Sequence, residues 1–231
     1  MGGRALPVLA LLIVAACAPA PPLEQPPAPP GARVWLFRAE SVLQDDWHHV
    51  HMRGRTDYRL SVVDGELAIR ARGRNSASGL FRYLDIDPRR CSALTWAWRV
   101  EALQADADLR VKAREDVAAS LFLLFGDPGL LIDPKPVPTL RYVWTNAKAP
   151  PETVIDSPYL PGVVRSLVVR SGTEALGAWH QEERDLAADF EAAFGHPPEA
   201  PLQALALFTD NDQTRQPVEA YYAWASVACA D

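Results

Sequence analysis

No apolar run in this sequence is long enough to span a bilayer. The longest, Leu6 to Ala16, is eleven residues, whereas a hydrocarbon layer needs about twenty. There is no phosphate-cradling glycine loop and no dinucleotide fingerprint, which removes the common nucleotide-binding designs. A G-x-S-x-G elbow is also missing; Asn75-Ser76-Ala77-Ser78-Gly79 mimics one only loosely and reads as a small-residue turn or bulge. Basic residues are outnumbered, 23 against 29 acidic, for a net charge of -6. That balance argues against one large basic face, so nucleic acid is not an expected partner. Cysteine is scarce, with three in 231 residues. Tryptophan is not: seven is a high count for this length.

The amino end explains one cysteine. Arg4 precedes the apolar run, which has the size of a signal-peptide core. The run ends in Val14-Ala15-Ala16-Cys17, which resembles a bacterial lipobox. In that motif the thiol receives lipid and becomes the new first residue after cleavage. Residues 18–30 then hold seven of the 21 prolines, a density that forbids helix and sheet and favours extended polyproline geometry. At about 3.1 Å per residue this tether would lift a domain roughly 40 Å from the lipid. The expected organisation is a signal over 1–16, a lipidated cysteine and tether over 17–33, and one domain over 34–231. Ala18, in place of Asp after the cysteine, points to an outer-membrane lipoprotein of the cell envelope facing the periplasm or the cell surface. The expected partner there is the membrane, through the lipid anchor.

The remainder reads as all-β. Period-two alternation marks half-buried strands near 67–71, 79–86, 93–101, 139–146, 163–170, 203–210 and 220–228. Val117 to Phe125 is nearly continuous apolar sequence, which suits a strand covered on both faces. Turn residues separate these runs, as at Asp64-Gly65 and Asp127-Pro128-Gly129. Leu186, Phe190 and Phe194 recur at spacing four between a capping Asp185 and a terminating Gly195, which predicts one short helix over 186–194. Many strands without βαβ alternation indicate an antiparallel β-sandwich, of jelly-roll type. With Cys17 assigned to lipid, Cys91 and Cys229 are left for one disulfide in an oxidising compartment. The alternative is two buried free thiols.

Several stretches together resemble an uncharacterised bacterial group, domain-of-unknown-function family 3047. They include Thr56-Asp57-Tyr58-Arg59-Leu60, Leu94-Thr95-Trp96-Ala97-Trp98-Arg99-Val100, Lys112 to Asp116, Leu140-Arg141-Tyr142-Val143-Trp144, Gly177-Ala178-Trp179 and Thr209-Asp210-Asn211-Asp212-Gln213-Thr214. The resemblance covers roughly residues 35 to 228. It implies a β-sandwich and supplies no mechanism. Val117 departs from the pattern, standing where a second acid would follow Asp116.

Four constellations are candidates for chemistry. Trp96 and Trp98 share one strand face and Tyr142 and Trp144 another, so four rings could line a surface for stacking on sugars. A core is the alternative. Arg99 and Arg141 then fall on the opposite faces, where solvent is expected. Asp210, Asp212 and Thr214 offer oxygens at alternating positions, but the glycine and distal glutamate of an EF-hand are missing. The plain reading is an Asx turn, with contact to a polar ligand or to calcium as the functional alternatives. His48, His49 and His51 lack the adjacent ligands that zinc needs and read as a solvated edge. Asp116, Asp189, Asp210 and Asp212 could supply a hydrolytic pair, although Asp189 is also explained as a favourable charge in a first helical turn. The expectation is a non-catalytic ligand- or carbohydrate-binding module, without cofactor or metal. An envelope hydrolase with paired carboxylates and a scaffolding lipoprotein are the alternatives.

Overall fold

The computed structural model describes Leu23, residues 32–44 and residues 46–230. The expected signal, Cys17 and nearly all of the tether lie outside the described residues. The strands are β1 (Ala32–Arg38), β2 (His48–Arg53), β3 (Asp57–Val63), β4 (Glu66–Arg72), β5 (Ala77–Ile86), β6 (Ala93–Ala102), β7 (Ala119–Phe125), β8 (Gly129–Leu130), β9 (Asp133–Pro134), β10 (Thr139–Thr145), β11 (Val154–Asp156), β12 (Val164–Ser171), β13 (His180–Asp185), β14 (Leu202–Asp210) and β15 (Glu219–Cys229). One α-helix, α1 (Leu186–Phe194), lies between β13 and β14.

Two sheets face each other in a jelly-roll-type sandwich. One runs β13-β6-β15-β4-β3, with β1 also paired to β15; the other runs β11-β12-β10-β7-β14-β5-β2. Pairing is antiparallel, as expected, except that β10 and β12 run parallel. Residues 146–163 make that connection and include β11. A segment of that length permits the crossover that parallel strands require. Among the described residues, no helix is long and apolar enough to cross a membrane.

The four-ring platform is not formed. Trp96, Trp98, Tyr142 and Trp144 are all fully buried between the sheets. Trp96 of β6 stacks on Tyr142 of β10 at 5.0 Å, and Trp98 meets Trp144 at 6.0 Å. The two strands belong to opposite sheets rather than neighbouring positions in one, so their like faces meet in the interior. Aromatic pairs of this kind contribute about 0.5–1.5 kcal/mol each beyond the area they bury. The indole N–H of Trp98 donates to Glu182 at 3.0 Å, so that ring is oriented as well as buried.

Helix α1 forms as its ends dictate. The Asp185 carboxylate accepts from the N–H groups of Ala187 and Ala188 at 3.0 Å, and Gly195 terminates the helix at φ 82°. Phe190 sits 4.5 Å from Phe125 and closes one end of the core. Asp189 does more than complement the helix start. It is buried and accepts from the Tyr142 hydroxyl at 2.8 Å and from Arg184 at 2.8 and 2.7 Å.

Cys91 and Cys229 are disulfide-bonded, 138 residues apart. The bond ties the entry of β6 to the end of β15, two strands that already pair at Ala93 and Ala228. Closing so long a loop removes entropy from the unfolded chain worth about 3–5 kcal/mol. Replacing both cysteines by serine is therefore expected to lower the midpoint of thermal unfolding by roughly 10 °C, read by calorimetry.

Candidate functional site

Because β7, β10 and β14 send alternate residues to the core, the intervening ones build the outer face of the seven-stranded sheet. On β14 these are Ala204, Ala206, Phe208 and Asp210; on β7 they include Phe122 and Leu124. Phe81, Ala204 and Ala206 pack there with Val50, Phe122 and Leu124, in a cluster separate from the main core. Gly79 on β5 is required by this packing. A Cβ there would lie 2.6 Å from the Phe208 ring and 2.9 Å from the Leu207 carbonyl.

Two cavities open on this face and share Met52, Phe122 and Phe208. The first, about 230 Å³, is apolar and is walled by Tyr83 and by Leu130 and Leu131 of the β8–β9 hairpin. The second, about 410 Å³, is lined by Glu115, Arg141, Tyr159, Asp210, Asp212 and Gln213 as well as apolar groups. Together they form one groove, apolar at one end and charged at the other.

The charged end is assembled from distant parts of the chain. Arg141 points outward from β10, as alternation predicts, but it is not in solvent: it is 4% exposed. Leu109 and Val117 pack on Val143 and Val168 and lay residues 109–117 over this end of the sheet. Glu115 of that segment pairs with Arg141, whose Nε also donates to Ser166 at 2.8 Å. Arg99, also expected in solvent, is largely covered and pairs with Asp64 and Glu101.

Three carboxylates converge beside this pair. Asp116, Asp210 and Asp212 each place an oxygen within 4.8 Å of the other two. Asp116 accepts from the Gln213 N–H at 3.2 Å and from the Thr214 N–H and hydroxyl at 2.6 and 2.5 Å. Asp210 accepts from the Val117 N–H at 2.8 Å. Asp212 lies 3.6 Å from Arg53 through one oxygen, and its other oxygen, Oδ1, is buried without a partner. Burial, with Asp116 and Glu115 close by, pushes the Asp210 carboxyl well above its usual range. Burial and Asp116 raise Asp212 against the pull of Arg53.

The sequence candidates therefore divide. Asp210 and Asp212 line the groove, while Trp96, Trp98, Tyr142 and Trp144 lie behind it in the core. Asp116 joins the first two, and Asp189 is on the other side of the sheet with Tyr142. Glu115, Arg141, Tyr159 and Gln213 were not among the candidates for chemistry. Arg141 carried a signal in its alternation, Glu115 and Gln213 lie in stretches that carry the family resemblance, and nothing local marked Tyr159.

The histidines lie on β2, at the edge of the seven-stranded sheet. His49 bonds the Ser78 hydroxyl at 2.9 Å and stacks on His51 at 4.2 Å. It borders a cavity of about 470 Å³ between the sheet edges, which also touches Asp57, Arg59 and Arg74. It is larger than the groove cavities and its lining is net basic, with Arg55, Arg59 and Arg74 against Asp57, which pairs with the last two.

The fold is that of a β-sandwich with a groove across one outer face. Within that class the chain belongs to the family described as protein of unknown function DUF3047, whose model matches residues 45–224. No curated protein matches the sequence. Similar solved structures include a family 11 carbohydrate-binding module of a cellulosomal cellulase from Clostridium thermocellum, at 8% identity, 87% of this chain, 96% of that chain and TM-score 0.45. A cleaved adhesin domain of Lys-gingipain from Porphyromonas gingivalis is similar at 12% identity, 84% and 99% coverage and TM-score 0.44. A xylan-binding domain from Paenibacillus barcinonensis is similar at 11% identity, 89% and 99% coverage and TM-score 0.41.

The edge histidine supplies a pH test. Burial, then His51 and Arg55, lowers the His49 pKa to about 4. A lowered imidazole stays neutral in the fold and takes up a proton on unfolding, so its contribution to stability is full above about pH 6.5 and is lost as pH falls toward 4. Replacing His49 with Gln is expected to flatten that part of the stability–pH curve in denaturant titrations. An NMR titration of His49 with a midpoint near 6.5 would contradict the assignment.

Proposed function

We propose that this protein is a non-catalytic binding module of the cell envelope, which takes a segment of carbohydrate chain in the groove of the seven-stranded sheet. The groove itself carries the reading. Sugar rings present apolar C–H faces and hydroxyl edges, and this surface offers both complements. Tyr83 at one end and Tyr159 at the other are 40% and 43% exposed. Each ring is held in place through its hydroxyl, Tyr83 to the Gly129 carbonyl and Tyr159 to the Lys112 carbonyl, both at 2.9 Å. Rings fixed in advance lose little freedom on stacking. Carboxylates, Arg141 and Gln213 stand beside Tyr159 to bond hydroxyls.

Against a hydrolase stands the bonding of the acids. Asp116 accepts from the Gln213 N–H and from the Thr214 N–H and hydroxyl, and Asp210 accepts from the Val117 N–H, so both are engaged by the chain itself. A second ligand class has one observation in its favour: Met52, Phe81, Leu124, Leu130 and Leu131 make one half of the groove apolar enough for an acyl chain.

The lipobox-like Val14-Ala15-Ala16-Cys17 and the proline-rich stretch after it support the envelope location. Palmitate is expected to label the wild-type chain and not Cys17→Ser; equal labelling would remove the lipid anchor. For the groove, a glycan array followed by titration calorimetry is the test. Tyr83→Ala and Tyr159→Ala should each weaken the bound glycan by about tenfold. No retained glycan, or affinity untouched by both changes, would overturn the reading. Binding of a fatty-acyl probe in place of any glycan would favour the second ligand class.

A further inference from the structure

We infer that Asp116, Asp210 and Asp212 form a site for one hard divalent cation of the calcium type, at the charged end of the groove. Three features lead there. The first is geometry. Oxygens that share one calcium ion at about 2.3–2.6 Å lie no more than about 5 Å apart, and these three fall within 4.8 Å of one another. The second is charge. Arg141 is neutralised by Glu115. That leaves three carboxylates against Arg53, which is 62% exposed. With all three ionised the local imbalance is two negative charges, the charge one divalent ion would cancel.

The third is unmet bonding capacity. Asp212 is 7% exposed, and its Oδ1 is buried without a partner. The Oε1 of the neighbouring Gln213 is also buried and unpartnered, while its amide nitrogen donates to the Tyr159 hydroxyl at 3.0 Å. A buried carboxylate oxygen with nothing to accept from is costly. Carboxylate and amide oxygens are the donors that calcium prefers, and the open groove leaves room for water to complete six to eight ligands. Asp116 is already fixed by three donors from Gln213 and Thr214, which preorganises the site. The EF-hand pattern is irrelevant here, because the third acid comes from before β7 rather than from the Asp210–Thr214 turn.

The proposal does not depend on what else the groove binds, and its test uses no glycan. Chelator-treated protein is titrated with calcium chloride by calorimetry and followed by thermal unfolding. The expected result is saturable one-to-one heat and a rise of about 5 °C in the unfolding midpoint at millimolar calcium. Asp212→Asn should lose both responses, while its midpoint in chelator stays at or above that of the parent. Terbium emission sensitised through nearby tyrosine gives a second reading: it should appear with the parent, be displaced by calcium, and be lost in Asp212→Asn and reduced in Tyr159→Phe. No heat and no shift at millimolar calcium would overturn the proposal. So would an undiminished response in Asp212→Asn.

Discussion

The two sheets are held in register by aromatic rings that pack against one another across the interior, one pair stacked and one tilted. Trp96 against Tyr142 and Trp98 against Trp144 fix which faces of β6 and β10 point inward. Strand geometry then leaves no choice for the residues between them. With Tyr142 and Trp144 inside, Arg141 and Val143 must be outside; with Leu121 and Leu123 inside, Phe122 and Leu124 must be outside. The outer face of the seven-stranded sheet is thus set by the packing behind it. A one-residue slip in β10 would bury Arg141 in the core and dismantle both surfaces at once.

What makes that outer face a site is a second layer. Residues 109–117 fold over one end of the sheet and bring Glu115 and Asp116 to Arg141 and Asp210. Burial then changes the chemistry of these groups. A carboxylate among carboxylates in a half-dry corner is disfavoured as an anion, which is why Asp210 is pushed upward. Such a corner destabilises the fold unless something positive shares it. Arg141 serves Glu115, and Arg53 reaches Asp212 only from the surface. At the other end of the groove Phe81, Phe122 and Leu124 meet no such conflict, and there the surface is simply apolar.

The sequence carried the sandwich because alternation survives wherever one strand face is buried. Runs 67–71, 79–86, 203–210 and 220–228 correspond to β4, β5, β14 and β15, and the caps of α1 were legible at Asp185 and Gly195. Strands β2 and β13 were not read as strands. Their sequences, HHVHMR and HQEERD, sit at sheet edges and bury too little to leave an apolar rhythm. The aromatic stripe was legible as a stripe, but whether its face looked inward depended on which sheet each strand joined. Asp210 and Asp212 were visible as a pair. Their partner Asp116, 94 positions earlier than Asp210 in the chain, is brought in by the packing of Leu109 and Val117 on Val143, a tertiary contact with no local signature.

The central claim is that the working centre of this protein is the acidic corner outside the seven-stranded sheet, and that the tryptophan-rich interior only supports it. Crystals grown with terbium and measured at its absorption edge test this directly. The account predicts one strong anomalous peak enclosed by Asp116, Asp210 and Asp212. A peak elsewhere on the molecule, or none at all with that corner open to solvent, would contradict it.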